Sequence, residues 1–574
     1  MAQSLKLTTA LMEEGGAKMT RKTAIRIVAV VTIIAVTTIL LKGTLGKGYP
    51  DQFENYGSYM SNVKFLETNG FTWFTQNWYF GFEIGRYYPP LTTFITYVIG
   101  QIIGDSSLAF NLIAFAAYLL LGLSLYAFLV GEFKNQWSAL VAALLFITAY
   151  TTILSNQGFY WQVPRTSGFS LIPVLLILIR KGFEKRSFKI AIGAGVVLSI
   201  ILLFNILAFT EAVMICALYL GLRLIQKISL GEKGGTWVDK KQLVLFGLAF
   251  LAISGWWLIP AVLPYGLSSF VQSTAEYPLK YLIDLNGSVP SYTYYLVSIL
   301  SLPGILAIAG IVSVLRRRTT VGVFALTLLV VSIILVVLQV AQGSRYIFDG
   351  ALALAIISGV LIDQLFYLNW PWAKLLTGVV IFAVIVSASL TAFSEGLEIR
   401  VDENAFREGI EYQVDSRVAT LMQKNDVVYI AYDQGFHGGT FSFNLFFPEK
   451  AQVRGAFKAG NHNSDSSEID KLVNSGSYPK RLDALLQKYG VTYLVVNQPK
   501  MEQAGTFSKL HRYKIVDQYE YMTILYTGYS IERPASPYIF LNGWRIFGLL
   551  VSLGACLATC GIAQITLASP KRNS

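Results

Sequence analysis

Long apolar runs recur along nearly the whole chain, and no other feature limits its fold as much. Of 574 residues, 54% are hydrophobic and only 14% are charged, a composition in which stretches near 20 apolar residues read as membrane helices. Such runs lie near residues 24–41, 107–130, 137–154, 168–180, 188–204, 208–223, 242–264, 292–315, 320–340, 350–368, 374–393 and 543–567. They are too long and too many for a signal peptide followed by a soluble domain. The chain reads as a polytopic α-helical membrane protein of about 12 spans.

Basic residues in short loops set an expected orientation, because such loops stay cytoplasmic. Arg21, Lys22 and Arg26 place residues 1–23 inside. The basic groups Lys181–Lys189, Arg223–Lys241, Arg316–Arg318 and Lys571–Arg572 should share that side. Four apolar segments separate the first outer loop from Lys181, yet only an odd number of crossings returns the chain to the inside. The short segment 91–104, directly after Pro89-Pro90, is therefore expected to lie at the interface or re-enter. Both termini are then cytoplasmic in a multi-pass protein of the cell membrane.

The net charge of +12 does not indicate nucleic acid. Residues 394–541 carry 16 Lys/Arg and 18 Asp/Glu of the chain's 46 basic and 34 acidic residues. The excess thus belongs to the membrane part, where it is the positive-inside bias. Cys216, Cys556 and Cys560 all fall in expected spans, so no disulfide framework is implied. Cys556 and Cys560, one helical turn apart, read as small packing residues.

The chain divides into the short N-terminus, a transmembrane domain over 24–393, an extracytoplasmic α/β domain over 394–541, and a last span with its cytoplasmic tail over 542–574. Within the transmembrane domain, residues 42–106 form the first outer loop with interfacial helices. In the α/β domain, 426–431, 491–496 and 521–526 read as strands and 478–489 as a helix. The order strand, helix, strand is that of a small α/β unit.

The first outer loop opens with Gly48-Tyr49-Pro50-Asp51 and closes with Arg86-Tyr87-Tyr88-Pro89-Pro90. Loops of roughly forty residues are functional or disordered, and its aromatic content argues for order. Asp51 and Glu54 head it; a partly desolvated carboxylate at a membrane interface can act as a general base, whereas an Asp a few residues past a span is also comfortable in water. Arg345 runs against the positive-inside bias. It either pairs with Asp349 at i+4 or binds an anionic phosphate. Arg86 and Arg165 are further outer arginines, expected to bind the same phosphate. The outer loop 155–167 offers Tyr160 and Trp161, either interfacial anchors or pocket walls, and Tyr88 joins them as a pocket candidate. Glu211 sits at the outer turn of a helical hairpin, where it either caps a helix in a wet site or serves function. His437 lies in Gly435-Phe-His-Gly-Gly439: the glycines permit close approach of a ligand, or the histidine is incidental to a flexible loop. The three histidines are too scattered for a metal site.

This layout resembles the C-type glycosyltransferase (GT-C) superfamily, and within it the membrane proteins related to 6-pyruvoyl-tetrahydropterin synthase; no pterin chemistry follows from that label. The resemblance rests on the early Asp51, the closure Tyr88-Pro-Pro-Leu91, the outer Arg345, and the tail segment Leu485-Leu-Gln-Lys-Tyr-Gly-Val-Thr-Tyr-Leu-Val-Val496. It implies an outer-face transferase that moves a sugar from a polyprenyl-phosphate donor to a glycan, lipid or protein acceptor. Asp51 would then activate the acceptor, and Arg345 would neutralise the leaving phosphate. Loop 155–167 has no Asp or Glu, which disfavours a divalent metal, although Glu211 is available; no cofactor is required. A transporter or flippase of lipid-linked sugars and an inactive scaffold of envelope assembly are the competing readings. The former usually shows internal repeats and mid-membrane charges, and neither is visible.

Overall fold

In the computed structural model the structure describes residues 21–50, 54–70, 74–75, 77–78, 82–83, 85, 88–149, 159–185, 187–229, 240–262, 302–338, 346–370, 372–398, 401–402, 404, 407–430, 437–453, 464–475, 479–532 and 543–568. A helix lies on each of the twelve apolar runs: α1 (Arg21–Leu41), then, after α2 (Glu54–Asn69) and α3 (Leu91–Ile103) of the first loop, α4 (Ser106–Val130), α5 (Gln136–Ile147), the pair α6 (Phe159–Phe169) and α7 (Ile172–Lys185), α8 (Phe188–Phe204), α9 (Ile206–Ser229), α10 (Lys240–Val262), α11 (Leu302–Arg317), α12 (Thr320–Val337), α13 (Ile347–Leu365), α14 (Ala373–Glu398) and, at the far end of the chain, a last apolar helix over Gly543–Ala568. Among the described residues, nine helices are long and apolar enough to cross a membrane. The protein is a multi-pass membrane protein.

Helices α4, α5 and α13 form the bundle's interior, and every residue from Ser138 to Ile147 is buried. Close approach relies on small side chains, as membrane packing requires. At Gly310 of α11 an added Cβ would stand 2.6 Å from the carbonyl oxygen of Ile357 in α13, so any larger residue would push those helices apart. At the end of the bundle remote from the β-sheets, Glu132 accepts from Arg180, Arg223 and Tyr219 at 3.1, 2.8 and 2.7 Å, joining α7 and α9 to the end of α4.

Segment 91–104 forms the 13-residue α3, about 20 Å long and short of a ~30 Å hydrocarbon core. It ends on Gly104 at φ 75°, the left-handed cap that glycine adopts without strain. Asp105 then caps α4, its carboxylate accepting from Leu108 N–H at 2.9 Å.

The C-terminal region is an α/β unit. Strands β5 (Val427–Ile430), β6 (Ala451–Gln452), β7 (Val491–Asn497), β8 (Lys514–Tyr519) and β9 (Met522–Tyr526) stand in the order β6-β5-β7-β9-β8. The first three are parallel and the last two antiparallel. Strand β7 is buried along its whole length, which explains its unbroken apolar sequence. One face packs on α17 (Ser464–Ser475) and α18 (Pro479–Lys488), the other on α15 (Ile410–Leu421) and α16 (His437–Phe446). The short helix α19 (Gln498–Gln503) follows β7, and the last apolar helix is α20 (Gly543–Ala568).

This unit is stitched to the first loop. Strand β1 (Tyr49–Pro50) pairs antiparallel with β4 (Val401–Asp402), Tyr49 opposite Asp402. The Gln452 N–H donates to the Asn77 carbonyl at 2.8 Å, and the Asn77 amide to the Pro448 carbonyl at 3.0 Å. Within the loop, β2 (Phe74–Thr75) pairs with β3 (Phe82–Glu83), and α2 packs on α16.

Candidate functional site

Two groups of polar side chains gather at the sheet-bearing end of the bundle. The upper group is built by the closure of the first loop. Tyr88, just before Pro89-Pro90, shares a 2.8 Å hydrogen bond with the Tyr59 hydroxyl of α2 and accepts from the Asn205 amide at 3.0 Å. Asn205 in turn caps α9, its side-chain oxygen accepting from Ala208 N–H at 3.0 Å. The loop's opening strand is held by Asn111, which donates to the carbonyls of Gly46 and Gly48 at 2.9 and 3.3 Å. Tyr49 meets the Phe446 ring of α16 at 5.5 Å, edge to face. The backbone that leads into Asp51 is therefore fixed from both the bundle and the α/β unit.

The lower group lies inside the bundle. Arg165 forms an ion pair with Glu211, Nη2 with Oε1, and its Nε donates to Oε2 at 3.3 Å. Its Nη1 donates to Gln162 Oε1 at 3.1 Å, and its guanidinium lies 5.6 Å from the Phe348 ring. Glu211 is 0% exposed. Asp349, on the first turn of α13, is also 0% exposed and faces this pair electrostatically; neither of its carboxylate oxygens has a hydrogen-bond partner among the described residues. Buried Tyr346 sits beside all three. Two carboxylates against one guanidinium, in an apolar bundle, is an arrangement membrane proteins keep for function. The two groups share α9: Glu211 lies six positions after Asn205, roughly 9 Å along the axis.

Three expectations change here. Residues 155–167 were expected as a loop; from Phe159 the chain is helical, with a break at Gln162 (φ −136°, ψ 28°) and Pro164 inside α6. Pro164 has no N–H to give to the preceding turn, and the break turns Arg165 inward. Glu211 is not a wet capping residue, because Asn205 does the capping and Glu211 is enclosed. Asp349 belongs to a helix that points it into the bundle, not to an outer loop.

Asp51, Arg86 and Arg345 lie outside the described residues. Glu54 opens α2, Tyr160 and Trp161 open α6, and His437 opens α16, but the side chains of these four are outside the described set. Of the candidates, the structure brings Arg165 and Glu211 together and ties Tyr88 to the helix that carries Glu211. Sequence reasoning missed Tyr59 and Asn205. Asn205 had a readable signal, an Asn one residue before a new apolar helix. Among the described residues, no group of three or more His, Cys, Asp or Glu is placed to hold a metal ion.

A profile of the family described as the 6-pyruvoyl-tetrahydropterin synthase related domain, membrane protein, matches residues 85–394, more than half of the chain. The chain belongs to this PTPS-related membrane protein family. The matched stretch holds Tyr88, Arg165, Asn205, Glu211 and Asp349. A sequence search of curated proteins finds no match.

Among solved structures, this PTPS-related chain is similar to three GT-C glycosyltransferases. The oligosaccharyltransferase of Archaeoglobus fulgidus tethered to an acceptor peptide superposes with a TM-score of 0.54 at 12% identity, over 84% of this chain and 70% of that one. ArnT from Cupriavidus metallidurans, bound to undecaprenyl phosphate, gives 0.54 at 15% identity over 89% and 100%. The arabinofuranosyltransferase AftD from Mycobacteria gives 0.53 at 14% identity over 89% and 42%. At these identities the likeness is one of fold: the PTPS-related chain has a GT-C fold.

Proposed function

We propose that this protein transfers a sugar from a polyprenyl-phosphate donor to an acceptor at the extracytoplasmic face of the cell membrane. The observation that supports this most is the fold shared with ArnT bound to undecaprenyl phosphate, over 89% of this chain and all of that one. The basic loops orient the sheet-bearing end outward and both termini inward. That face suits a lipid-linked donor, because its phosphate lies at the interface while its chain stays in the bilayer.

In the proposed reaction, the Asp51 carboxylate takes the proton of the acceptor hydroxyl, with Glu54 as the alternative base. The acceptor oxygen bonds to the anomeric carbon as the bond from that carbon to the phosphate oxygen breaks. Polyprenyl phosphate leaves with the electron pair, and charge builds on its phosphate. An arginine placed there acts where transition-state charge develops. Arg165 is committed to Glu211, so this role is assigned to Arg345 with Arg86, while Arg165, Glu211 and Asp349 shape the floor below. Tyr88, Tyr160, Trp161 and His437 are proposed as walls of the pocket.

Purified protein presented with a panel of polyprenyl-phosphate sugars tests this reading: release of free polyprenyl phosphate with one of them supports it.

A further inference from the structure

A second polar space lies beside the proposed site. It is a cleft of about 540 Å³ at the junction of three separate segments, within the usual range of ligand pockets. Gly48 and Tyr49 form one wall, two residues before Asp51. Lys64 and Glu67 of α2 form the second, and the turn from α3 into α4, from Gln101 to Ser107, the third. Asn404 and Arg407, just after β4, close it from the side of the α/β unit.

The charges that line this cleft are not equivalent. Glu67 is committed: it accepts from Lys64 at 2.6 Å and from the Ser106 hydroxyl. Asp105 is committed as well, to the Leu108 N–H, to the Ser107 hydroxyl at 2.7 Å and to Lys47 at 3.8 Å. Arg407 is exposed, and its guanidinium has no partner among the described residues. The free charge of the cleft is therefore positive. Around it stand neutral hydrogen-bonding groups, Gln101, Asn404 and Tyr49, and Gly104 leaves open space where a side chain would stand. One uncommitted guanidinium among amides and a phenol suits a ligand with many hydroxyls and one anionic group.

We infer that this cleft binds the acceptor, and that the acceptor is an anionic sugar whose carboxylate or phosphate is held by Arg407. The inference rests on the transferase reading and deepens it. A planar guanidinium pairs two-pronged with either anion. The acceptor hydroxyl would then reach the chain at Tyr49, which precedes the proposed base by two residues in the sequence.

Saturation-transfer NMR on the full-length protein in lipid nanodiscs tests this with three probes: glucuronate, glucose 6-phosphate and glucose. Wild-type protein should bind the two anionic probes at millimolar concentration and glucose more weakly. Arg407→Ala should weaken the anionic probes about tenfold or more, the loss expected of one charge-assisted hydrogen bond, and leave glucose unchanged. Gln101→Trp, which fills the cleft from an exposed helix position, should abolish binding of all three while undecaprenyl phosphate still binds. The inference is overturned if wild type binds neither anionic probe, if either Arg407→Ala or Gln101→Trp binds them as wild type does, or if undecaprenyl phosphate is lost together with them. A protein that binds the probes but turns over no polyprenyl-phosphate sugar would retain the cleft and refute the transferase reading instead.

Discussion

Glu211 is enclosed by the bundle and held there by Arg165 across the contact between α6 and α9. Removing one partner of a buried ion pair leaves a charge without compensation, at a cost of about 3–5 kcal/mol. Glu211→Ala and Arg165→Ala should each destabilise the protein by that order. The double change Arg165→Ala with Glu211→Ala should cost much less than the sum of the two single changes. Thermal unfolding in detergent checks this, and additive losses would show that the pair is not coupled.

Asp105 is a helix cap whose carboxyl is held below its ordinary value. Burial would raise it, but hydrogen bonds from Leu108 N–H and Ser107, and the charge of Lys47, outweigh that. Asp105→Ala should cost about 0.5–2 kcal/mol, as lost N-caps do. With the folded value depressed, the benefit is complete above the ordinary value of 3.8 and fades as pH falls through the folded value. Wild type and variant should therefore converge in stability at strongly acidic pH.

Asp415 is the opposite case. Burial is the main cause that pushes its carboxyl well above the ordinary value of 3.8; Glu411 adds to the rise, and only the hydrogen bond from Ser442 opposes it. As pH rises past 3.8, the unfolded chain gives up this proton before the folded one does, so folding loses stability up to the folded value. Asp415→Asn has no proton to lose. The variant should match wild type in acid and exceed it in stability at neutral pH, seen by unfolding measured from about pH 4 to pH 8. A variant less stable than wild type at neutral pH would contradict this.

Much of this was legible because the bilayer and the sheet impose simple periods. The apolar runs located the helices, and the unbroken Val491–Val496 run located the buried strand β7. Basic-loop counting singled out 91–104, which forms a helix of 13 residues. What the sequence withheld depends on long-range packing. The break at Gln162 and the inward turn of Arg165 require α9 alongside, so a stretch with Pro164, Thr166 and Ser167 read as loop. The ladder between Tyr49 and Asp402 joins segments at opposite ends of the bundle's sequence, and no local signal announces it. Asp51, Arg86 and Arg345 remain assigned from sequence and family resemblance.

Arg345 carries the proposed phosphate contact. Arg345→Ala should weaken binding of the donor about tenfold or more. Arg345→Lys keeps the charge without the planar fork and should fall between that variant and wild type. Donor affinity unchanged in Arg345→Ala would remove this residue from the site.

The most direct measurement of the central claim is turnover of polyprenyl-phosphate sugars by purified wild type, Asp51→Asn and Glu54→Gln. The Asn side chain is nearly isosteric with Asp but cannot take the acceptor's proton. General-base catalysis is worth about 10²–10⁴-fold, so Asp51→Asn should lose turnover on that order while its fold and donor binding persist. Full activity in Asp51→Asn with a loss in Glu54→Gln would move the base to Glu54. Wild-type protein that releases no polyprenyl phosphate from any donor, or full activity in both variants, would contradict the mechanism.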